Sequence, residues 1–212
     1  MAGMVIVFDG PDGVGKSTQL KLTEAWLKEL GHDVHTARAS GGTPIGEALR
    51  AVSLADIPRP AETDVYISLA MGTALGQDLR GRVARGQICL VDRSPAAIIA
   101  YNAYGSELSN KQLAVTAFED MIKLWNINQM IIIDADQAII DQRRANRTDK
   151  PKDYFEKQND AYHQRVREGY SKAIQLVEDH PEWGIELIRI DGAPSEAQVQ
   201  EHVRHAIKNI LA

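Results

Sequence analysis

The chain has 212 residues, 44% of them hydrophobic and 25% charged, proportions close to those of ordinary water-soluble domains. That length suits a single domain spanning residues 1–212, with a core large enough to need no disulfide or metal staple. The single cysteine, Cys89, excludes an internal disulfide scaffold. With 29 acidic against 24 basic residues and a formal net charge of −5, the chain does not have the basic balance of a coat for DNA or RNA.

The first predicted element is a strand over residues 4–8 (MVIVF), apolar throughout and therefore buried on both faces. A glycine-rich turn follows. Leu22, Ala25, Trp26 and Leu30 then recur at helical spacing over residues 16–30, with Gly31 as the stop. Val34 to Arg38 reads as a second strand, and residues 45–54 and 62–85 as helices, the second ending near Gly86. Residues 88–91 (ICLV) form a short buried strand that places Cys89 as a buried thiol in a reducing compartment. Asp92-Arg93-Ser94 follows at its carboxyl end. A helix over residues 109–126, a strand over 129–134, a charge-dense stretch over 141–157 and a helix to about Glu178 come next. Residues 184–191 give the last strand, and residues 195–211 the last helix, capped by Ser195. Strands alternating with helices specify a parallel sheet covered on both faces. No run approaches the roughly 18 apolar residues of a membrane span, and Met1-Ala2-Gly3-Met4 carries no charged leader. The expected setting is the cytoplasm.

The segment Gly10-Pro11-Asp12-Gly13-Val14-Gly15-Lys16-Ser17 fits G-x-x-x-x-G-K-[ST] without a mismatch. Its glycines let successive backbone N–H groups turn toward phosphate oxygens. Lys16 adds a point charge at the β- and γ-phosphates, Ser17 offers a hydroxyl to Mg²⁺, and the following helix aims its positive end at the same anions. A glycine-rich turn that merely joins strand to helix is the plainer alternative; the position between a buried strand and an amphipathic helix favours nucleotide binding. No guanine-reading Asn-Lys-x-Asp is present, and the length fits a small kinase better than a motor or transporter ATPase.

Further segments resemble the thymidylate kinase family of P-loop nucleoside monophosphate kinases over nearly the whole chain. Thr18-Gln19 continues the loop as in that family. Arg38 with Gly41-Gly42-Thr43-Pro44-Ile45-Gly46-Glu47, then Asp92-Arg93 with Ala100-Tyr101-Asn102, resemble its acceptor-side motifs. Asp134, Arg143 and Arg147 fall where the family has a strand-end acid and an arginine-rich lid. Tyr162, Arg165, Arg167 and Tyr170 match its lid-exit helix, and Ile190-Asp191-Gly192 its adenine loop. The resemblance implies a three-layer α/β P-loop fold with a lid insert over about residues 141–157, and Mg²⁺- and ATP-dependent transfer to a nucleoside monophosphate, dTMP first. A deoxynucleoside kinase, a kinase for another deoxynucleotide and a non-catalytic nucleotide-binding regulator remain alternatives. Neither a nucleic-acid polymer nor a membrane is expected as a partner, and the family habit implies a homodimer.

By the same resemblance, ATP is held by Gly10, Asp12, Gly13, Val14, Gly15, Lys16, Ser17 and Thr18, with Arg143 of the lid and Asp191 of the adenine loop. Mg²⁺ falls to Ser17 and Asp92. Arg38 and Arg93 clamp the acceptor phosphate with forked, charge-assisted bonds; Asp12 faces the sugar and Tyr101 crowds its 2′ position. The acceptor oxygen is already ionised, because the second phosphate pKa is about 6, so no general base is needed. Catalysis rests on Lys16, Arg93, Arg143 and Arg147. Several of these have a plainer role: Asp12 as a turn residue, Asp92-Arg93 as an ion pair, the arginine-rich stretch as a solvated helix end and loop. The six histidines lack metal-ligand spacing, and Trp26, Trp125 and Trp183 are read as packing residues.

The chain departs from the family pattern on the base side. Counting back from Gly86 and Asp92, the base-stacking and thymine-reading positions hold Ile67 and Met71, and residues 66–79 contain no arginine. Ala96-Ala97-Ile98-Ile99 is apolar where the family keeps polar groups, so Ala97 lines the acceptor without reading it. Arg38 precedes Ala39-Ser40 rather than Glu-Pro. Asp153-Tyr154-Phe155-Glu156 replaces Asp-Arg-x-Glu in the lid. Gly13 stands where some members carry an arginine, leaving Arg143, Arg144 and Arg147 to supply the charge.

Overall fold

A computed structural model describes residues 3–145, 154–155 and 157–211, apart from the side chain of Arg144. Its centre is β1 (Met4–Asp9), buried along its whole length. β2 (Val34–Arg38), β3 (Ile88–Asp92), β4 (Gln129–Asp134) and β5 (Glu186–Asp191) complete a five-stranded sheet in the order β2-β3-β1-β4-β5, with every neighbouring pair parallel. The alternation of side chains along each strand divides the core into two layers. Val5, Val7, Cys89, Val91, Met130 and Ile132 face one layer. Met4, Ile6, Phe8, Leu90, Ile131 and Ile133 face the other.

The first layer is covered by α3 (Ala61–Ala84), α4 (Lys111–Trp125) and α6 (Asp160–Asp179), the second by α1 (Lys16–Glu29) and α7 (Glu196–Leu211). Local chemistry sets several helix starts. Thr43 caps α2 (Pro44–Leu54) by accepting from the Gly46 N–H at 3.0 Å, with Pro44 at the first helical position. Asn159 accepts from Tyr162 N–H at 2.9 Å to open α6. Ser195 and Gln198 bond reciprocally before α7, the capping box expected where Ser195 precedes an apolar run.

Two elements differ from the expectation. Residues Ile98–Gly105 form a π-helix, where the sequence suggested only an apolar stretch after Asp92-Arg93. The wider turn lets it lie against α6 so closely that a Cβ on Gly169 would stand 2.6 Å from Ala100 Cα. A helix α5 (Gln137–Ala145) occupies the start of the stretch read as charge-dense loop. It is anchored by Ile140, which is buried just before the charged run that begins at Asp141. Of the predicted lid, residues 146–153 and 156, Arg147 among them, lie outside the described residues.

Each strand ends on a charged residue at the same carboxyl edge: Asp9, Arg38, Asp92, Asp134 and Asp191. In an open parallel sheet this is where ligands bind, beside the strand-order switch between β1 and β3.

Candidate active site

The loop between β1 and α1 is shaped by its backbone. Gly10 has φ +134, and a Cβ there would stand 2.0 Å from the Ile133 carbonyl oxygen, so no other residue fits. Asp9, fully buried, takes the Gly10 N–H at 2.8 Å on one carboxylate oxygen; on the other it takes the Ser94 N–H at 2.8 Å and the Ser94 hydroxyl. Burial pushes the Asp9 carboxyl up, against the pull of Arg93 and Lys16. This aspartate ties the loop to the chain after β3, 85 residues away.

Lys16 is buried, and its ammonium donates to the Gly10 carbonyl at 2.9 Å and the Pro11 carbonyl at 2.8 Å. It therefore spans the loop with its charge at the mouth of the turn. Burial and the Arg93 charge lower its pKa, while Asp12, Asp9 and Asp92 work in the other direction. The Gly15 carbonyl opens α1 by accepting from Thr18 and Gln19 N–H at 3.1 and 3.0 Å, which leaves the N-terminus of a 14-residue helix aimed at the loop.

Arg93 sits where β3 leaves the sheet, in the left-handed region with φ +75, a conformation that costs a non-glycine residue on the order of 1 kcal/mol or more. Its guanidinium forks: Nη2 pairs with Asp12, Nη1 donates to the Tyr170 hydroxyl at 2.7 Å, and its plane lies 5.2 Å from the Tyr101 ring centre. Tyr101 in turn donates to Asp12 Oδ2 at 2.8 Å. Burial alone would raise the Asp12 carboxyl; Arg93 and Lys16 more than offset it and hold the group well below the usual carboxylate range. Burial pushes the hydroxyls of Tyr101 and Tyr170 up, so both remain protonated at neutral pH.

Ser17 donates to the Asp92 carboxylate at 2.6 Å, so a hydroxyl and a carboxylate from the loop and the end of β3 face one another. These are hard oxygen donors of the kind Mg²⁺ prefers, and few enough to leave water and phosphate on the ion. The residues therefore fit such a cation. No cluster of histidine, cysteine and acidic ligands that could make another metal site exists among the described residues.

Two cavities flank this constellation. One, of about 960 Å³, runs from Gly10 and Asp12 past Tyr170 between α5 and α6 to Asp134 and Asp191. The other, of about 120 Å³, is lined by Asp12 and Arg93, by Met71 of α3 and Met121 of α4, and by Arg50 of α2. Of the residues expected on the acceptor side, Asp12, Met71, Arg93, Ala97 and Tyr101 line the smaller cavity. Ile67 and Arg38 do not. Adjacent helical positions point about 100° apart, and it is Ser68, not the half-buried Ile67, that reaches the cavity. Arg38 is exposed and gives both arms to Glu47, whose carboxylate also takes the Gly42 N–H at 2.8 Å. Arg143 does reach the phosphate loop, donating to the Val14 carbonyl at 3.1 Å. Asp191 turns onto its own loop, accepting from the Ala193 N–H at 2.9 Å.

Sequence reasoning missed Asp9, Ser94, Ser68, Met121 and Phe155. Asp9 carried a legible signal, a lone acid closing an apolar strand beside the glycine loop. Nothing in the sequence pointed to Met121 on α4; Phe155, read only as part of the lid segment, packs edge-on against Tyr101 with ring centres 5.6 Å apart.

Comparison with known proteins gives a consistent result. A family model described as thymidylate kinase matches residues 8–203. A thymidylate kinase of Teredinibacter turnerae is 31% identical over the full length of both chains. One of Nostoc punctiforme is 29% identical over 98% of this chain and 97% of its own. The crystal structure of a thymidylate kinase from Ehrlichia chaffeensis superposes with a TM-score of 0.70 over 98% of this chain and 99% of its own; at 21% identity this likeness concerns the fold.

Proposed function

From the premise that the chain belongs to the thymidylate kinase family, we propose that it transfers the γ-phosphoryl group of Mg²⁺-bound ATP to dTMP, giving dTDP and ADP. One observation carries this reading furthest: Arg93 is fixed between the phosphate loop and the smaller cavity, bonded to Asp12 of that loop. A donor phosphate in the loop and an acceptor phosphate in the cavity would meet at its guanidinium.

The chemistry then needs position and positive charge rather than covalent help. The loop amides, Lys16 and the start of α1 hold the β- and γ-phosphates. Arg93 presents two N–H donors to the acceptor phosphate, whose attacking oxygen is ionised without a base. Asp12 and Tyr101, joined by a hydrogen bond, face the sugar, Asp12 toward the 3′-hydroxyl and Tyr101 toward the 2′ position, which favours deoxyribose. Ser17 and Asp92 would hold Mg²⁺, Asp92 through water; when bound, the ion neutralises charge that develops on the β- and γ-oxygens. Arg143 stands beside the loop as a source of transition-state charge, and Arg147 belongs to the same arginine set. Arg38 takes part if it exchanges Glu47 for the acceptor phosphate.

The whole chain acts as one catalytic domain with its lid over about residues 141–157. Ile45, Val52, Ile57 and Tyr66, each about half exposed or more on α2, α3 and their connector, give apolar area suited to a homodimer contact. The proposed setting is the cytoplasm; no described helix is long and apolar enough to cross a membrane. The test is a coupled ADP-release assay with Mg-ATP against dTMP, dUMP, dCMP, dGMP, dAMP, the ribonucleotides and thymidine. Turnover of dTMP above the rest is expected. Activity on thymidine alone, or none with any acceptor, refutes the assignment.

A further inference from the structure

On α3 the acceptor cavity is lined by Ser68 and Met71, and residues 66–79 hold neither arginine nor lysine; besides Arg93, the cation on its wall is Arg50 of α2, which donates to the Ser40 carbonyl at 2.9 Å. What walls the cavity on the α3 side is set by how α3 meets α4. Gly72 and Gly76 lie one helical turn apart on α3, and both face α4. A Cβ on Gly72 would stand 2.2 Å from the Met121 methyl and 2.7 Å from its sulfur. One on Gly76 would stand 2.7 Å from both Leu124 Cγ and Trp125 Cδ1. The Trp125 indole N–H donates to the Gly72 carbonyl at 2.8 Å and pins the approach. Met121 therefore fills the volume that a side chain at position 72 would take. It lines the acceptor cavity together with Met71, Asp12 and Arg93.

Resting on the proposed activity, we infer that Met121 is a specificity-determining residue: its thioether, with Met71, forms the wall against which the acceptor base is selected, and it selects by apolar contact. A long, unbranched, polarizable side chain adapts closely to an apolar substituent and offers no donor or strong acceptor. Such a wall favours a pyrimidine bearing a 5-methyl group over one without it. One methyl group in an apolar pocket discriminates by about 10- to 200-fold. The same wall, at the end of a cavity of about 120 Å³, leaves little room for a purine.

The experiment compares kcat/KM for dTMP and dUMP, with saturating Mg-ATP, in the parent chain and in Met121→Ala and Met121→Leu. The parent is expected to prefer dTMP by about tenfold or more. In Met121→Ala that ratio should fall to about threefold or less, with the loss carried by KM for dTMP. Met121→Leu should recover most of the preference, because it restores apolar volume. Should the alanine variant lose its near-ultraviolet dichroism, Met121→Gln, of similar length but polar, stands in for it with the same expected collapse. A ratio in Met121→Ala, or in its Met121→Gln stand-in, within twofold of the parent's, or a parent that does not distinguish dTMP from dUMP, overturns the role of Met121 alone. A parent that phosphorylates neither overturns the proposed activity and the inference with it.

Discussion

Replacing Arg93 with lysine keeps a positive charge at the end of β3 but removes the fork. Arginine reaches two partners in different directions, Asp12 through Nη2 and the Tyr170 hydroxyl through Nη1 at 2.7 Å. A compact ammonium on a shorter stem can satisfy only one, and the carboxylate of Asp12 wins the competition on charge. Tyr170, buried on α6, then loses its partner. A hydrogen bond involving a charged group contributes about 1.5–3 kcal/mol, which sets the expected loss of stability. In the reaction the same fork is the proposed clamp on the acceptor phosphate. Losing one of its two bonds in the transition state costs a similar about 1.5–3 kcal/mol, or about a 10- to 150-fold fall in kcat/KM for dTMP. Coupled ADP-release kinetics alongside urea unfolding separates the two effects. A variant destabilised by this amount yet within threefold of the parent in kcat/KM would confine Arg93 to a structural role and refute the clamp.

Asp12 makes a prediction about pH. Its carboxyl is held well below the unfolded value of 3.8 once Arg93 and Lys16 have outweighed burial. The ionised group thus contributes stability that is fully present above about pH 5 and is lost as pH falls through the folded value. The urea midpoints of the parent and Asp12→Asn should therefore differ most at pH 7, and their gap should begin to narrow only as pH falls below about 4; a gap that widens on acidification contradicts the pairing. Two glycines of α3 should respond with opposite sign to the same change. Gly76→Ala puts a Cβ 2.7 Å from Leu124 and Trp125 and should destabilise by about 1–3 kcal/mol. Gly81→Ala, whose nearest atom is the exposed end of Arg85 at 3.6 Å, should stabilise by about 0.5–1 kcal/mol; thermal unfolding of both checks the sign. Cys89 is fully buried in β3, and burial pushes its thiol up to about 11. Its reaction with a disulfide reagent at pH 8 should be slow in the native protein and fast in urea, and rapid native labelling would place the thiol elsewhere.

The division between what was legible and what was not follows from range. The strands were legible because β-branched, uninterrupted apolar runs such as MVIVF and QMIIID have few alternatives to a sheet buried on both faces. The phosphate loop was legible because its shape depends on contiguous glycines and on the helix that begins at Lys16. Arg93 was nameable from its place after a buried strand and by family resemblance. Its partners came only with the fold, since Asp12 and Tyr170 are 81 and 77 residues distant. The same holds for Asp9 and Ser94, which meet because β1 and β3 are neighbours in register, with Phe8 opposite Asp92.

The base end of the acceptor cavity shows the limit most clearly. Composition told that α3 lacks an arginine there, and counting placed Met71 near the gap. Which side of the helix faces the cavity depends on how α3 rotates against its neighbours, and that brought in Ser68 and left Ile67 out. What fills the gap depends on a helix–helix distance fixed by two glycines and an indole hydrogen bond. The sequence by itself determined the elements and the phosphate-binding loop, because both are encoded within a few turns of chain. The tertiary structure alone decided which distant side chains converge on Arg93 and which one walls the acceptor. Those outcomes are set by packing between elements, to which no local pattern of residues is sensitive.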